Sequence, residues 1–303
     1  MIIVFMSLCF ITVVCLLGVC LSSCAKGINS SDADEIFNRG VDYAKKGDYE
    51  NAIKDFTRAI EINPKLAEAY NCRGLAYFHL GDKERAIADY NRAIEINPKL
   101  ALAYTNRGNA YSDMGDNERA IADYNRAIEI NPKLAEAYYN RGNAYYHLGD
   151  NERAIADYTR AIEINPKLAE AYYNRGNAYY KMGDNERAIA DYTRALEINP
   201  KLAEAYYNRG NAYYKMGDNE RAIADYNRAI EINPKLAEAY YNRGNAYSAM
   251  GDNERAIADF TRVIEINPKL AEAYYNRGNA YSAMGDNERA IADFTRVIEI
   301  NPK

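Results

Sequence analysis

Apolar and polar positions recur along this chain with the period of an α-helix, and the pattern repeats every 34 residues. Within residues 135–168, small and aromatic residues return at intervals of three and four. The first series is Tyr138, Gly142 and Tyr145, and the second is Ala154, Tyr158 and Ala161. Each series marks one apolar helix face. The unit is therefore predicted to contain two helices of about 14 residues, each about 20 Å long.

Residues that end and begin helices lie between the two series. Gly149 ends the first helix, and the side chain of Asp150 or Asn151 caps the second. Glu152 suits the positive N-terminal end of that second helix. Pro166 stops the second helix, because proline lacks a backbone N–H and clashes with the preceding turn. These signals predict a helix-turn-helix unit.

The spacing of the prolines establishes a repeat architecture, since all eight lie 34 residues apart. They are Pro64, Pro98, Pro132, Pro166, Pro200, Pro234, Pro268 and Pro302. One unit cannot bury its own apolar face, so neighbouring units must stack. The predicted repeats are 33–66, 67–100, 101–134, 135–168, 169–202, 203–236, 237–270 and 271–303. Residues 271–303 repeat 237–269 without a change, which indicates recent internal duplication.

This residue series resembles the tetratricopeptide repeat family. In that family an aromatic, a Gly, a Tyr, an Ala, an aromatic, an Ala and a Pro recur at set places. The matching residues of repeat five are Tyr172, Gly176, Tyr179, Ala188, Tyr192, Ala195 and Pro200. The resemblance covers residues 33–303 and implies an all-α fold, a right-handed superhelical solenoid of eight helix-turn-helix repeats. It also implies that the first helix of each repeat lines a concave groove.

One departure from the family is an arginine in the first helix of every repeat, where leucine is usual. An aspartate recurs in every second helix, and in repeat four the two are Arg141 and Asp157. The two positions lie nearly opposite each other in an antiparallel hairpin. We predict an ion pair inside each repeat that fixes geometry more than it adds net stability. The alternative is an arginine ladder that binds a ligand.

The inward-pointing positions implied by the resemblance carry tyrosine and asparagine. In repeats four to six they are Tyr139, Asn140, Asn143, Tyr146, Tyr173, Asn174, Asn177, Tyr180, Lys181, Tyr207, Asn208, Asn211, Tyr214 and Lys215. Asparagine amides both donate and accept, so a ladder of them suits the backbone of an extended peptide. Tyrosine adds apolar area with a polar tip. The alternative is that these residues only reflect a stable average repeat.

The predicted groove is not uniform along the chain. The dipeptides that replace its outer pair are Ser112-Asp113 in repeat three, Ser248-Ala249 in repeat seven and Ser282-Ala283 in repeat eight. We therefore place the ligand at repeats four to six. Chaperone-binding relatives clamp a C-terminal carboxylate with lysines, where this chain has Glu136 or Tyr139 and their equivalents. That mode of recognition is not expected here.

The N-terminal segment differs from the repeats. Residues 1–21 carry no charged side chain, and Leu21-Ser22-Ser23-Cys24 resembles the lipobox of bacterial lipoproteins. The resemblance implies a signal peptide over 1–23, lipidation of Cys24, a linker over 24–32 and attachment to the outer membrane. The alternative is an uncleaved membrane anchor, because an apolar run of about 20 residues can span a bilayer.

Composition narrows the chemistry. The formal net charge is −5 and basic residues are spaced singly, so we expect no nucleic-acid partner. Among the five cysteines, Cys72 alone lies in the repeats, where we expect a small buried apolar residue. His79 and His147 share one position at the groove edge and are expected to be solvated. These residues form no catalytic set, so we predict no enzyme, no metal site and no cofactor.

Three functional hypotheses remain. The favoured one is an envelope-anchored scaffold that binds an extended peptide or protein segment in the concave groove. The second is an assembly subunit that self-associates through its last helix, which we expect to show Ala290, Phe294 and Val297 to water. The third is a carbohydrate binder, since tyrosine and asparagine also suit sugar rings and hydroxyls.

Overall fold

The computed structural model describes residues 30–301. Those residues form sixteen α-helices and no strand, which confirms the predicted all-α array of eight two-helix repeats. The first helices are α1 Ser30–Lys45, α3 Ala67–His79, α5 Ala101–Asp113, α7 Ala135–His147, α9 Ala169–Lys181, α11 Ala203–Lys215, α13 Ala237–Ala249 and α15 Ala271–Ala283. The second helices are α2 Tyr49–Ile62, α4 Lys83–Ile96, α6 Asn117–Ile130, α8 Asn151–Ile164, α10 Asn185–Ile198, α12 Asn219–Ile232, α14 Asn253–Ile266 and α16 Asn287–Ile300.

The chain divides into two compact units between Leu148 and Gly149, in the turn of repeat four. The first unit thus ends with α7 and the second begins with α8. Within each unit, the two helices of a hairpin pack together, and the second helix packs on the first helix of the next repeat. Successive first helices also touch. In the described part of either unit, no contact of similar extent joins successive second helices.

Local signals set the ends of the helices as predicted. At the start of α10, the side chain of Asp184 accepts a hydrogen bond from the backbone N–H of Arg187, and aspartate caps every second helix in this way. The preceding Gly183 has φ of 85°, a left-handed conformation that glycine adopts without strain. At the far end, Asn199 accepts from the backbone N–H of Lys201 across the proline. Of the two candidates for the N-cap of each second helix, the aspartate is the cap and the asparagine that follows it in repeats three to eight is not.

The core of each hairpin is built from alanines, one glycine and one aromatic ring. Tyr192 of α10 is fully buried and lies against Gly176 of α9. A Cβ atom at Gly176 would come within 2.8 Å of the Tyr192 ring, so only glycine lets the two helices approach this closely. Cys72 is buried, as predicted for the one cysteine of the repeats.

The outer face of α16 differs from the prediction. Ala290 is buried, and Phe294 is partly buried with its ring against Gly278 of its own hairpin. The exposed apolar residues are Ile291 and Ile298, at 64% and 68%. The prediction was wrong for Ala290, whereas Phe294 and Val297 are partly exposed, unlike the fully buried Phe260 and Val263 of repeat seven. These residues occupy the helix face that packs within the hairpin, whereas the two isoleucines lie on the adjacent face.

The N-terminal predictions fall largely outside the described residues. The segment 1–23, Cys24 and most of the predicted linker precede residue 30, and α1 begins at Ser30, inside the predicted 24–32 linker. Within residues 30–301, no helix has the length and apolar character needed to cross a membrane.

Candidate binding face on the first helices

In each unit, the first helices form the layer in which neighbouring repeats approach most closely. This is the concave side of such a stack, because the repeats diverge at the layer of second helices. The predicted groove residues lie on three first helices. Helix α7 belongs to the first unit, and α9 and α11 belong to the second.

The predicted arginine–aspartate pairs are present in every repeat that lies within one unit. Arg175 donates from Nε and Nη2 to the two carboxylate oxygens of Asp191, both at 2.8 Å. The other pairs are Arg39–Asp55, Arg73–Asp89, Arg107–Asp123, Arg209–Asp225, Arg243–Asp259 and Arg277–Asp293. Arg141 and Asp157 belong to different units.

Each of these arginines except Arg39 also reaches the preceding repeat. Nη1 of Arg175 donates to Thr159 Oγ1 at 2.9 Å, and Nη1 of Arg141 donates to Asn125 Oδ1 at 2.6 Å. In Arg73, the hydrogen bond to Asp89 raises the pKa of the guanidinium, while burial opposes that rise. Because the guanidinium nitrogens of these arginines already have acceptors within the protein, a structural role is favoured over a ligand-binding arginine ladder.

The groove asparagines also join neighbouring repeats. The side-chain amide of Asn208 donates to Asn177 Oδ1 and to Tyr173 Oη, both at 3.0 Å. The hydroxyl of Tyr192 donates to the same Asn177 oxygen at 2.8 Å. Repeats six and seven share this arrangement through Asn242, Asn211, Tyr207 and Tyr226. The amides that the sequence assigned to a ligand thus hold one repeat on the next.

The first unit contains the same tie, extended by a carboxylate. Asn140 donates to Asn109 Oδ1 at 2.9 Å, and Tyr124 donates to that oxygen at 2.8 Å. Burial raises the pKa of Glu136, and a hydrogen bond from Asn109 opposes this rise.

The other predicted groove residues on these helices are not freely exposed. Tyr139 is buried, and Asn143, Tyr146 and Asn174 are partly buried.

Repeat two departs from this network. Leu75 stands where repeats five and six have asparagine, and in repeat three Leu102 stands where repeats four to eight have glutamate. The Tyr90 hydroxyl is fully buried, with no hydrogen-bond partner among the described residues. Burial raises the pKa of Tyr90 well above its usual value. Leu75 and Leu102 replace an asparagine and a glutamate that interact between repeats three and four. This paired change is the sequence signal that the two positions are in contact across a repeat boundary.

The outer edge of the face carries the more exposed side chains. We define the tyrosine–lysine lip as Tyr180 and Lys181 at the end of α9, with Tyr214 and Lys215 at the end of α11. Nζ of Lys215 lies 4.2 Å from the centroid of the Tyr180 ring. Tyr214 is 37% exposed, and both lysines are exposed.

The two histidines at the equivalent edge differ. His147 is exposed, as predicted. His79 is partly buried and stacks on Tyr49 at 4.7 Å between ring centroids, so the prediction that it is solvated was wrong. Burial lowers the pKa of His79. Repeat one alone has a tyrosine at the start of its second helix, and that ring covers the histidine.

These features define the class of the protein, an α-solenoid of tandem two-helix repeats. The TPR repeat family model matches residues 40–81, 74–115, 108–149, 142–183, 176–217, 210–251 and 244–285, and the tetratricopeptide repeat model matches 271–303. The chain belongs to the tetratricopeptide repeat family. Among curated proteins, none matches the chain.

Several solved structures resemble the chain. The crystal structure of MamA is 30% identical, with a TM-score of 0.52, covering 52% of this chain and 93% of MamA. YrrB, described as a TPR protein with an unusual peptide-binding site, is 27% identical with a TM-score of 0.54, covering 62% of this chain and 97% of YrrB. A tetratricopeptide repeat protein from Parabacteroides merdae, 24% identical with a TM-score of 0.57, shares the fold over 86% of this chain and 98% of its own.

Proposed function

We propose that this protein is a scaffold that binds an extended peptide segment on the first-helix face, with repeats five and six at the centre of the site. The observation that carries the proposal is the tyrosine–lysine lip. It places exposed tyrosine and lysine side chains beside a face whose amides are already bonded. The likeness to YrrB, whose description includes a peptide-binding site, supports the same function.

The bonded amides make this face suitable for binding. Asn177 and Asn208 are held between repeats, so the surface keeps its shape without a ligand. A rigid surface loses less conformational entropy on binding than a mobile one. Ligand contacts then fall mainly to ring faces, phenol hydroxyls and lysine side chains. Tyrosine provides large contact areas at low entropic cost.

The test is binding of peptides by the full chain purified in mild detergent. A random peptide library would be selected on the wild type and on a lip-exchanged variant with Tyr180→Ser, Lys181→Ala, Tyr214→Ser and Lys215→Ala. This variant carries the residues of repeats seven and eight, so the changes are already compatible with the fold. We expect peptides that bind the wild type and lose affinity for the variant. Equal binding to both proteins would place the site elsewhere.

We also propose attachment to the bacterial cell envelope through Cys24, in the outer membrane, with an uncleaved membrane helix as the alternative. The support is the Leu21-Ser22-Ser23-Cys24 series after an uncharged apolar segment. Metabolic labelling with a fatty-acid analogue tests it. Label on the wild type that disappears in Cys24→Ala is the expected result, and unlabelled wild type would leave the membrane-helix alternative.

Self-association is the second candidate function. Ile291 and Ile298 are 64% and 68% exposed and lie seven residues apart, on one face of α16. Sedimentation velocity at several protein concentrations measures the association directly. We expect Ile291→Lys with Ile298→Lys to abolish any oligomer, and an oligomer that survives both changes would exclude this face.

A further inference from the structure

We propose that the tyrosine–lysine lip selects an acidic side chain, so that the bound peptide carries aspartate or glutamate opposite repeats five and six. This inference rests on the proposed peptide-binding function and adds the chemistry of the ligand. It is distinct from clamping of a C-terminal carboxylate, because the lip lies at the ends of α9 and α11 and contacts a side chain along an extended segment.

The ammonium of Lys215 lies against an aromatic ring and has no acidic partner among the described residues. Its Nζ lies over the Tyr180 ring, 4.2 Å from the centroid, which joins repeat six to repeat five. Among the described residues, no carboxylate oxygen lies within 4.0 Å of this ammonium. The negative ring face holds the cation without neutralising it. Its positive charge therefore remains available to an anion.

Unlike Lys215, the arginines beside the lip have acidic partners. Arg187 and Arg221 follow the lip in each repeat, and each bonds the cap aspartate three residues earlier, Asp184 or Asp218. The charge of each of these aspartates is therefore balanced by its own arginine, and neither aspartate pairs with Lys215. The acids at this edge without such a bond are Glu186 and Glu220, which are exposed to solvent at the start of the second helices.

The tyrosines determine which anion fits. The rings of Tyr207 and Tyr226 lie 6.1 Å apart, and Tyr180 and Tyr214 add two further rings at the lip. We expect a carboxylate at the lip to accept one charge-assisted hydrogen bond from Lys215 and one phenolic hydrogen bond from Tyr214, which is 37% exposed. The rings contact the methylenes of the same side chain. Aspartate and glutamate combine these two requirements.

Repeats seven and eight provide the internal contrast. They keep the cross-repeat asparagines but have Ser248-Ala249 and Ser282-Ala283 at the lip positions. Neither pair carries charge or an aromatic ring. The preference for an acid is therefore confined to repeats five and six, and the peptide is expected to be less constrained where it crosses repeat seven.

The test starts from the selected peptides and asks whether the charge of one acidic side chain is needed for binding. The strongest peptide selected on the full chain would be synthesised with each acidic residue changed to its amide, Glu→Gln or Asp→Asn. Binding would be measured by fluorescence anisotropy to wild type, Lys215→Ala and Lys201→Ala. Lys201 is the matched control, an exposed lysine in the loop between α10 and α11.

We expect acidic residues to be enriched at one place in the selected peptides. One amide substitution should weaken binding about tenfold, and Lys215→Ala should weaken it to the same degree without a further loss in the combination. Lys201→Ala should bind as wild type. Selected peptides with no acidic preference, or losses that simply add, would overturn this inference while leaving the binding function intact. Failure to select any peptide would overturn both.

Discussion

Repeats six and seven lie in the same unit and share one scaffold, yet they differ where a ligand would meet them. In each of them an asparagine oxygen accepts a hydrogen bond from a side-chain amide of the following repeat, Asn211 from Asn242 at 2.8 Å and Asn245 from Asn276 at 3.0 Å. Repeat six adds the Tyr226 hydroxyl to Asn211, whereas repeat seven has a phenylalanine there. The stacking contacts are thus kept and the lip is changed, which separates the residues that hold repeats together from those available to a partner.

The largest expected effect comes from the part that the two repeats share. Arg209→Leu leaves Asp225 buried without its bidentate partner, and we expect a loss of about 3–5 kcal/mol in the free energy of unfolding. Arg243→Leu in repeat seven should cost the same, because Asp259 is equally buried. Urea denaturation of otherwise identical chains measures both.

A double variant is the control for this pair. Arg209→Leu combined with Asp225→Leu removes both charges, and should recover most of the loss. Arg221→Leu, which breaks an exposed pair three residues apart, should have little effect. A loss for Arg221→Leu as large as that for Arg209→Leu would mean that burial does not decide the cost.

The second prediction breaks the symmetry between the repeats. Asn211→Leu leaves the buried Tyr226 hydroxyl without its acceptor, at a cost of about 1–3 kcal/mol. Asn245→Leu removes the same cross-repeat bond in repeat seven, but Phe260 needs no acceptor, so the loss should be smaller. The difference between the two midpoints of urea denaturation reports the contribution of the phenol, and equal losses would contradict it.

The third prediction concerns alkaline pH. Burial raises the pKa of the Tyr226 phenol above its usual value of 10.0. The unfolded chain therefore releases this proton first, and the stability that the neutral phenol provides is present below pH 10 and lost as pH rises further. The slope for one such phenol is about 1.4 kcal/mol per pH unit. Tyr226→Phe, which copies repeat seven, should reduce the loss measured by urea denaturation between pH 10 and 11.5, and an unchanged slope would contradict the shift.

The smallest expected effect has opposite signs in two repeats. Tyr90→Phe removes a buried hydroxyl that lacks a partner in the described structure, so we expect a gain of about 1 kcal/mol. Tyr226→Phe removes a satisfied hydroxyl and should lose a similar amount. Thermal denaturation of both variants at neutral pH is sufficient, and equal signs would mean that Leu75 does not leave Tyr90 unpaired.

The fold was predictable because its signals are local. Glycine, aspartate and proline lie within a few residues of the helix ends that they determine, and the pair Arg175–Asp191 lies within one hairpin. The function of Asn208 was not predictable in this way. Its partners Asn177 and Tyr173 are 31 and 35 residues earlier, in the preceding repeat. Helical period identifies the face of a side chain, but only stacking determines whether a neighbouring repeat occupies its hydrogen bonds.

The two wrong predictions have related causes. His79 was assigned to solvent by its equivalence to His147, but Tyr49 of repeat one covers it. In α16 the most exposed residues, Ile291 and Ile298, come one position after the predicted Ala290 and Val297, because positions one residue apart on a helix face different neighbours. In both cases the expectation followed the average repeat, whereas the neighbours of that particular repeat determine which side chains are exposed.

The central claim is that stacking and recognition use different residues, and moving the lip between repeats tests it most directly. The lip-exchanged variant would receive Ser248→Tyr, Ala249→Lys, Ser282→Tyr and Ala283→Lys, which transfers the lip to repeats seven and eight. The measurement is the affinity of the selected acidic peptide for the wild type, the lip-exchanged variant and this transferred form, with unfolding followed in parallel. We predict that binding is lost in the lip-exchanged variant and returns on transfer, while stability changes by no more than about 1 kcal/mol, the contribution of an exposed cation–π contact such as that of Lys215 with Tyr180. Binding that survives removal of the lip, or is lost only together with stability, would contradict the claim.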